Sequence, residues 1–213
     1  MIEHVLPGDI EKRSFEIIAE ELASAGITLD PEQDPVIRRA IHTSADFDYA
    51  RTLVFSHDAV RIARELIAGG ADIVTDTNMA LTGINKKRIA GFGGSVRCYM
   101  ADEDVAGEAK ERGITRASVS MEHAARDIIR SGRRTIFAIG NAPTALITLR
   151  NMHDEGIFTP DFIIGVPVGF VNVVEAKELI IETDIPHIVN RGRKGGSNVA
   201  AAIVNAMIYS IQR

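Results

Sequence analysis

Apolar positions recur along this chain with two different periods. Over 8–26, "GDIEKRSFEIIAEELASAG", they fall every three to four residues, which puts Phe15, Ile18 and Leu22 on one face of an amphipathic helix closed by Gly26. A second helix is predicted with Asp34 as its cap and Pro35 in its first position. Its buried stripe is Val36, Ile37, Ala40 and Ile41. Ser56 is read as the cap of a third, which runs through Val60, Ala63 and Ile67 to Gly69 and Gly70. From there the pattern changes to short, nearly continuous apolar runs at 72–76, 95–100, 135–140, 162–167 and 187–192. Most are rich in β-branched or aromatic residues, as strands covered on both faces tend to be. Helical segments at 104–113, 118–132, 142–156, 172–183 and 197–213 lie between or after them. This alternation predicts an α/β fold of three layers, α/β/α, with a mainly parallel sheet of about five strands in a single domain over 1–213. Ligands of such sheets sit beyond the carboxyl ends of the strands.

Composition narrows the class. With 46% hydrophobic and 25% charged residues, the chain has the make-up of a globular protein with a proper core. The net charge of −5 argues against a nucleic-acid partner, because phosphate neutralisation needs a basic face. One cysteine, Cys98, rules out an internal disulfide, and no Cys or His spacing suggests a protein-held metal. The opening "MIEHVLPGDIEKRS" lacks the plan of a signal peptide, and no apolar run approaches the roughly 20 residues of a membrane span. A cytoplasmic protein with no membrane partner is expected.

The residues just after the strands hold the candidate chemistry. Gly140-Asn141-Ala142-Pro143-Thr144 leads into a helix start, where Asn141, Thr144 and free backbone N–H groups could meet a ligand. Arg191-Gly192-Arg193-Lys194-Gly195-Gly196-Ser197 sets three cations and two adjacent glycines before another helix, a plausible anion site. No phosphate loop exists, and "GFGGS" at 91–95 precedes a strand instead of following one, so it reads as a turn. The cations Lys86, Lys87, Arg88 and Arg116, in a chain acidic overall, lean toward a ligand with several carboxylates. There is no GxSxG elbow. His57, His123 and His153 fall on or near helices as ordinary structural or solvated side chains. His42 differs: in "DPVIRRAIHTSADFDY" it stands where its helix should end, beside Arg39.

Five motifs taken together, "RSFEII", "RRAIH", "AIGNAPTAL", "GVPVGFVNVVEAK" and "NRGRKGGS", resemble the precorrin-8X methylmutases of cobalamin biosynthesis, in order over essentially the whole chain. The resemblance implies a flavodoxin-like fold, a homodimer with its active site near the subunit interface, and an isomerase. The reaction implied is a 1,5-sigmatropic methyl shift from C-11 to C-12 of a corrin precursor, giving the hydrogenobyrinate or cobyrinate skeleton. The family's catalytic histidine falls on His42, and its substrate contacts carry over to Ser14, Arg39 and Arg116. The loops holding Asn141 and Thr144, and Arg191, Arg193, Gly195, Gly196 and Ser197, are expected to line the same cavity. The partner implied is a planar tetrapyrrole fringed with carboxylates. A methyl shift within a conjugated ring needs no cofactor, and any cobalt would belong to the substrate. A histidine suits protonation of the macrocycle, since a general acid works best near neutrality. A helix C-terminus favours the imidazolium, Asp46 and Asp48 could add to this, and Arg38 and Arg39 oppose it. Two other readings stay open: a non-catalytic corrinoid carrier, and a flavodoxin-like nucleotide-binding regulatory domain.

Overall fold

The computed structural model describes residues 4–211. The sheet has six strands: β1 (Leu53–Phe55), β2 (Asp72–Thr75), β3 (Val96–Cys98), β4 (Thr135–Ile139), β5 (Phe162–Gly165) and β6 (His187–Asn190). Their order is β1-β6-β5-β4-β2-β3. The five strands read from the sequence are all present and mutually parallel. The sixth, β1, was not expected. It pairs antiparallel with β6, Val54 opposite Val189, and adds an edge.

Leaving β1 aside, the order is that of a flavodoxin-like doubly wound sheet, with its topological switch between β2 and β4. Side chains alternate between its two faces. Ile136, Ala138, Phe162, Ile164 and Ile188 point to one side, where they meet α1 (Ile10–Ser24), α2 (Asp34–Ser44), α4 (Ala59–Ala68) and α11 (Ser197–Ser210). Phe137, Ile139, Ile163 and Val189 point to the other, beneath α7 (Glu103–Arg112), α8 (Arg116–Ser131), α9 (Pro143–Asp154) and α10 (Val173–Ile181). Strand β4 is buried along its whole length, which explains its nearly continuous apolar run.

Three short helices complete the chain: α3 (Tyr49–Thr52), α5 (Asn78–Gly83) and α6 (Lys86–Gly91). None has enough turns to print a helical period on the sequence, and all three escaped prediction. Two predicted caps are corrected. Helix α2 begins at Asp34 itself, with Gln33 in the cap position and no side-chain cap bond. Ser56 does not cap α4; its hydroxyl accepts the His187 N–H at 2.9 Å, tying the α4 entry to β6. The 91–95 segment is a turn into β3, as expected, with Gly93 at a positive φ of 91°. The predicted last helix runs to Ser210 and the coil to 211; 212 and 213 lie outside the described residues. No described helix is long and apolar enough to cross a membrane.

Candidate active site

His42 sits in the last turn of α2, which Ala45 ends in the left-handed conformation, its N–H donating to the Ile41 carbonyl. Its stripe neighbours Val36, Ile37, Ala40 and Ile41 are buried, and His42, off that stripe, is exposed. The imidazole stacks on Phe15 of α1, centroids 5.1 Å apart and planes 15° from parallel. Arg39, three residues earlier on the same side of α2, lays its guanidinium over the same Phe15 ring at 4.7 Å and near Tyr209 of α11 at 5.6 Å. Both side chains line an open groove of about 490 Å³ between α1, α2, α5 and α11. Glu11, Thr43, Met79, Asn198 and Asn205 share its walls. That volume is ordinary for a small-molecule site, and Met79 and Tyr209 stay exposed at its rim. The groove starts at the carboxyl side of the sheet, where α5 follows β2 and α11 follows β6.

Behind it lies the switch point, held by Asp76. This carboxylate follows β2, is fully buried, and accepts the N–H groups of Gly140 at 2.9 Å, Asn141 at 2.8 Å and Ala142 at 2.7 Å. Burial pushes its carboxyl above the usual range, and the three N–H bonds pull it only part of the way back. Next to it, Thr77 caps α5 by accepting the Ala80 N–H and shares a 2.8 Å hydrogen bond with the Ser197 hydroxyl. A Cβ at Gly140 would lie 2.6 Å from the Ser197 Cα, so only glycine lets the two loops touch.

These contacts correct the expectation of free N–H groups in the 140–144 loop, because Asp76 holds three of them. They also show what sequence reading missed: Asp76, Glu11, Phe15, Asn198, Asn205 and Tyr209. Asp76 and Thr77 stood in the quoted strand-end stretch "TDTNM", and only the packing gave them partners.

The remaining expected site residues disperse. Ser14 is half-buried on α1 beside Phe15, its hydroxyl donating to the Ile10 carbonyl at 2.9 Å. Arg116 is exposed at the first turn of α8 and does not line the His42 groove. Asn141 is exposed at the loop tip, and Thr144 bonds Thr115 at 2.8 Å and faces a different groove between α8 and α9. Arg191 pairs with Glu178 at 3.2 Å, and Arg193 lies over the exposed Phe170 ring at 5.5 Å. Lys194 is clasped by Asp46 and Asp48, each at 2.6 Å, which holds the Asp46 carboxyl below its usual range. The two aspartates expected to support the imidazolium are therefore spent on a lysine.

The glycines of that loop serve backbone packing. A Cβ on Gly195 would sit 2.0 Å from the Val166 carbonyl oxygen, and the Gly196 N–H donates to that oxygen at 2.9 Å. Lys177, fully buried on α10, fastens the loop from below by donating to the carbonyls of Gly192 and Lys194 at 2.7 and 2.8 Å. Burial pushes its ammonium down to about 8. Among the other histidines, His57 precedes α4 instead of lying on it, His123 bonds Glu108 at 2.7 Å, and His153 bonds Thr159 at 3.0 Å.

A family model described as precorrin-8X methylmutase matches residues 9–210. The chain belongs to the precorrin-8X methylmutase family. It is 44% identical over 203 residues to the cobalt-precorrin-8 methylmutase of Priestia megaterium, covering 95% of this chain and 88% of that one. To the precorrin-8X methylmutase of Pseudomonas aeruginosa it is 38% identical, covering 97% and 98%. The crystal structure of precorrin-8x methyl mutase from Thermus thermophilus superposes with a TM-score of 0.82 at 35% identity, over 94% of this chain and 96% of that one. This precorrin-8X methylmutase family member is therefore a methyl-shifting isomerase of cobalamin biosynthesis.

Proposed function

We propose that this enzyme moves the methyl group of precorrin-8 from C-11 to C-12 by a 1,5-sigmatropic shift, giving the hydrogenobyrinate or cobyrinate skeleton. His42 acts as general acid and then base. The observation that carries this reading is the exposed imidazole at the end of α2, sharing one groove with a guanidinium on the same side of the helix. An imidazolium there protonates the bound macrocycle, which makes the receiving carbon electron-poor. The methyl group migrates with its bonding pair, and the imidazole takes the proton back. Proton and electrons balance within the substrate and one side chain. The step draws on no cofactor, and cobalt, where the substrate carries it, stays part of the substrate.

Arg39 binds a carboxylate of the macrocycle's fringe, while Met79 and Ala201 on the groove walls offer apolar contact to the disc, and Phe15, outside the lining, props the imidazole and the guanidinium. Arg193 has no carboxylate partner among the described residues but does not line this groove. Arg116, Asn141 and Thr144 lie off this groove, so the carboxylate contacts are assigned to Arg39 first.

A tetrapyrrole lying in an open groove with exposed Met79 and Tyr209 at its rim keeps one apolar face in water. We propose that a second copy of the chain covers it. Sedimentation is expected to give about twice the 23.1 kDa chain mass, and a single-chain mass at micromolar concentration removes the dimer.

Turnover tests the function itself. Supplied with a large excess of precorrin-8, the enzyme should convert it completely, followed by its ultraviolet-visible spectrum. A spectral change that stops at one equivalent per site would make the protein a corrinoid carrier.

A further inference from the structure

Arg39 already holds a carboxylate. Glu11, in the first turn of α1, accepts its Nη1–H from 28 positions away in the sequence, and both line the groove. The Arg39 guanidinium, through its hydrogen bond and its charge, holds the Glu11 carboxyl below the usual range, with His42 acting in the same direction. Arg39 also has contacts besides Glu11, for the Phe15 and Tyr209 rings lie 4.7 and 5.6 Å from its guanidinium. A second guanidinium, Arg88 of α6, stands 5.7 Å from that same Tyr209 ring, with no carboxylate partner among the described residues. Glu11 is paired with Arg39 alone, and Arg88 adds a further cation beside the Tyr209 edge of the groove.

Resting on the reading of this groove as the site of an acid-fringed substrate, we propose that Glu11 is a stand-in for a substrate carboxylate: it occupies Arg39 in the free enzyme and yields to an acetate or propionate of the substrate. Three features suit it to that exchange. Its side chain is 60% exposed, so its ion pair is weak enough to break. The swap replaces one carboxylate with another on Arg39, so the guanidinium is paired before and after. Once released, Glu11 stays at a helix N-terminus where Asp9 makes no side-chain cap bond and negative charge is favoured. A ligand without a free carboxylate cannot displace it, so Glu11 sets specificity as well as affinity.

The test is steady-state kinetics with precorrin-8 on Glu11→Gln, Arg39→Met, the double variant, and Glu20→Gln as a control on α1 outside the groove. Glu11→Gln is expected to lower KM about two- to fivefold, the strength of an exposed ion pair, with kcat little changed. A merely structural residue would raise KM or lower kcat. Arg39→Met should raise KM, and in its background Glu11→Gln should bring no gain, because the competed partner is gone. If Arg39→Met leaves KM unchanged, the placement of the substrate fails. If Arg39→Met raises KM but Glu11→Gln does not lower it, the stand-in role alone fails. An equal drop in KM for Glu20→Gln would assign the effect to overall charge and overturn the proposal too.

Discussion

Replacing His42 by alanine is expected to lower kcat with precorrin-8 by about 10²- to 10⁴-fold, the range supplied by a positioned general acid. The loss should fall on kcat more than on KM, since the groove and Arg39, the proposed binding contacts, remain in place. Stability should change little. The ring is exposed, its one aromatic contact among the described residues is the Phe15 stack at 5.1 Å, and such pairs contribute about 0.5–1.5 kcal/mol. A variant that melts near the wild-type temperature and has lost turnover therefore assigns the chemistry to the imidazole. Asparagine at the same position keeps polarity and rough size without a usable proton near neutral pH, and should be as inactive as alanine. Turnover within tenfold of wild type in both variants would remove His42 as the acid.

The largest effect on stability is expected at Asp76. Its carboxylate lies at full burial between two strand ends and answers three backbone N–H groups. Alanine there would leave the buried Gly140 donor and the part-buried Asn141 and Ala142 donors without that partner, at up to about 1–3 kcal/mol each, partly offset by no longer burying a charge. The net loss should be roughly 3–5 kcal/mol in urea unfolding, or about 6–20 °C in melting temperature for a chain of this length. Asparagine should recover only part, because its amide oxygen can serve two of the donors while its NH₂ group faces the third. An Asp76→Ala protein within 1 kcal/mol of wild type would mean that desolvation of the carboxylate cancels its three bonds. Because Gly140 packs on Ser197, and Ser197 on Thr77, loosening this anchor should also disturb the groove wall that begins at Asn198.

How much of this was legible in the sequence differs between elements and contacts. The five parallel strands could be read because burial on both faces leaves a nearly continuous apolar run, as in Ile136–Ile139. Strand β1 could not: three residues behind a four-residue helix carry no period, and only the edge of β6 makes them a strand. The groove was half visible. Arg39 and His42 stand three positions apart on one helix, so their shared side follows from local geometry. Glu11, Asn198 and Tyr209 reach the same groove from the two ends of the chain, and nothing in their neighbourhoods announces it.

The basic loop at 191–197 shows the opposite error. Three cations before a helix read as an anion site, but two of them are matched by Glu178, Asp46 and Asp48 from elsewhere in the fold. Its paired glycines, taken as room for a ligand, are room for the Val166 carbonyl. By itself the sequence determined the layered α/β architecture, the position of His42 at a helix end and, through its motifs, the family. Only the tertiary structure decided which charges are already spent, which N–H groups are free, and which distant side chains wall the groove. The physical reason is range: helical and strand periods are written within a few residues, whereas a charge or a donor is satisfied by whatever the packing brings to it.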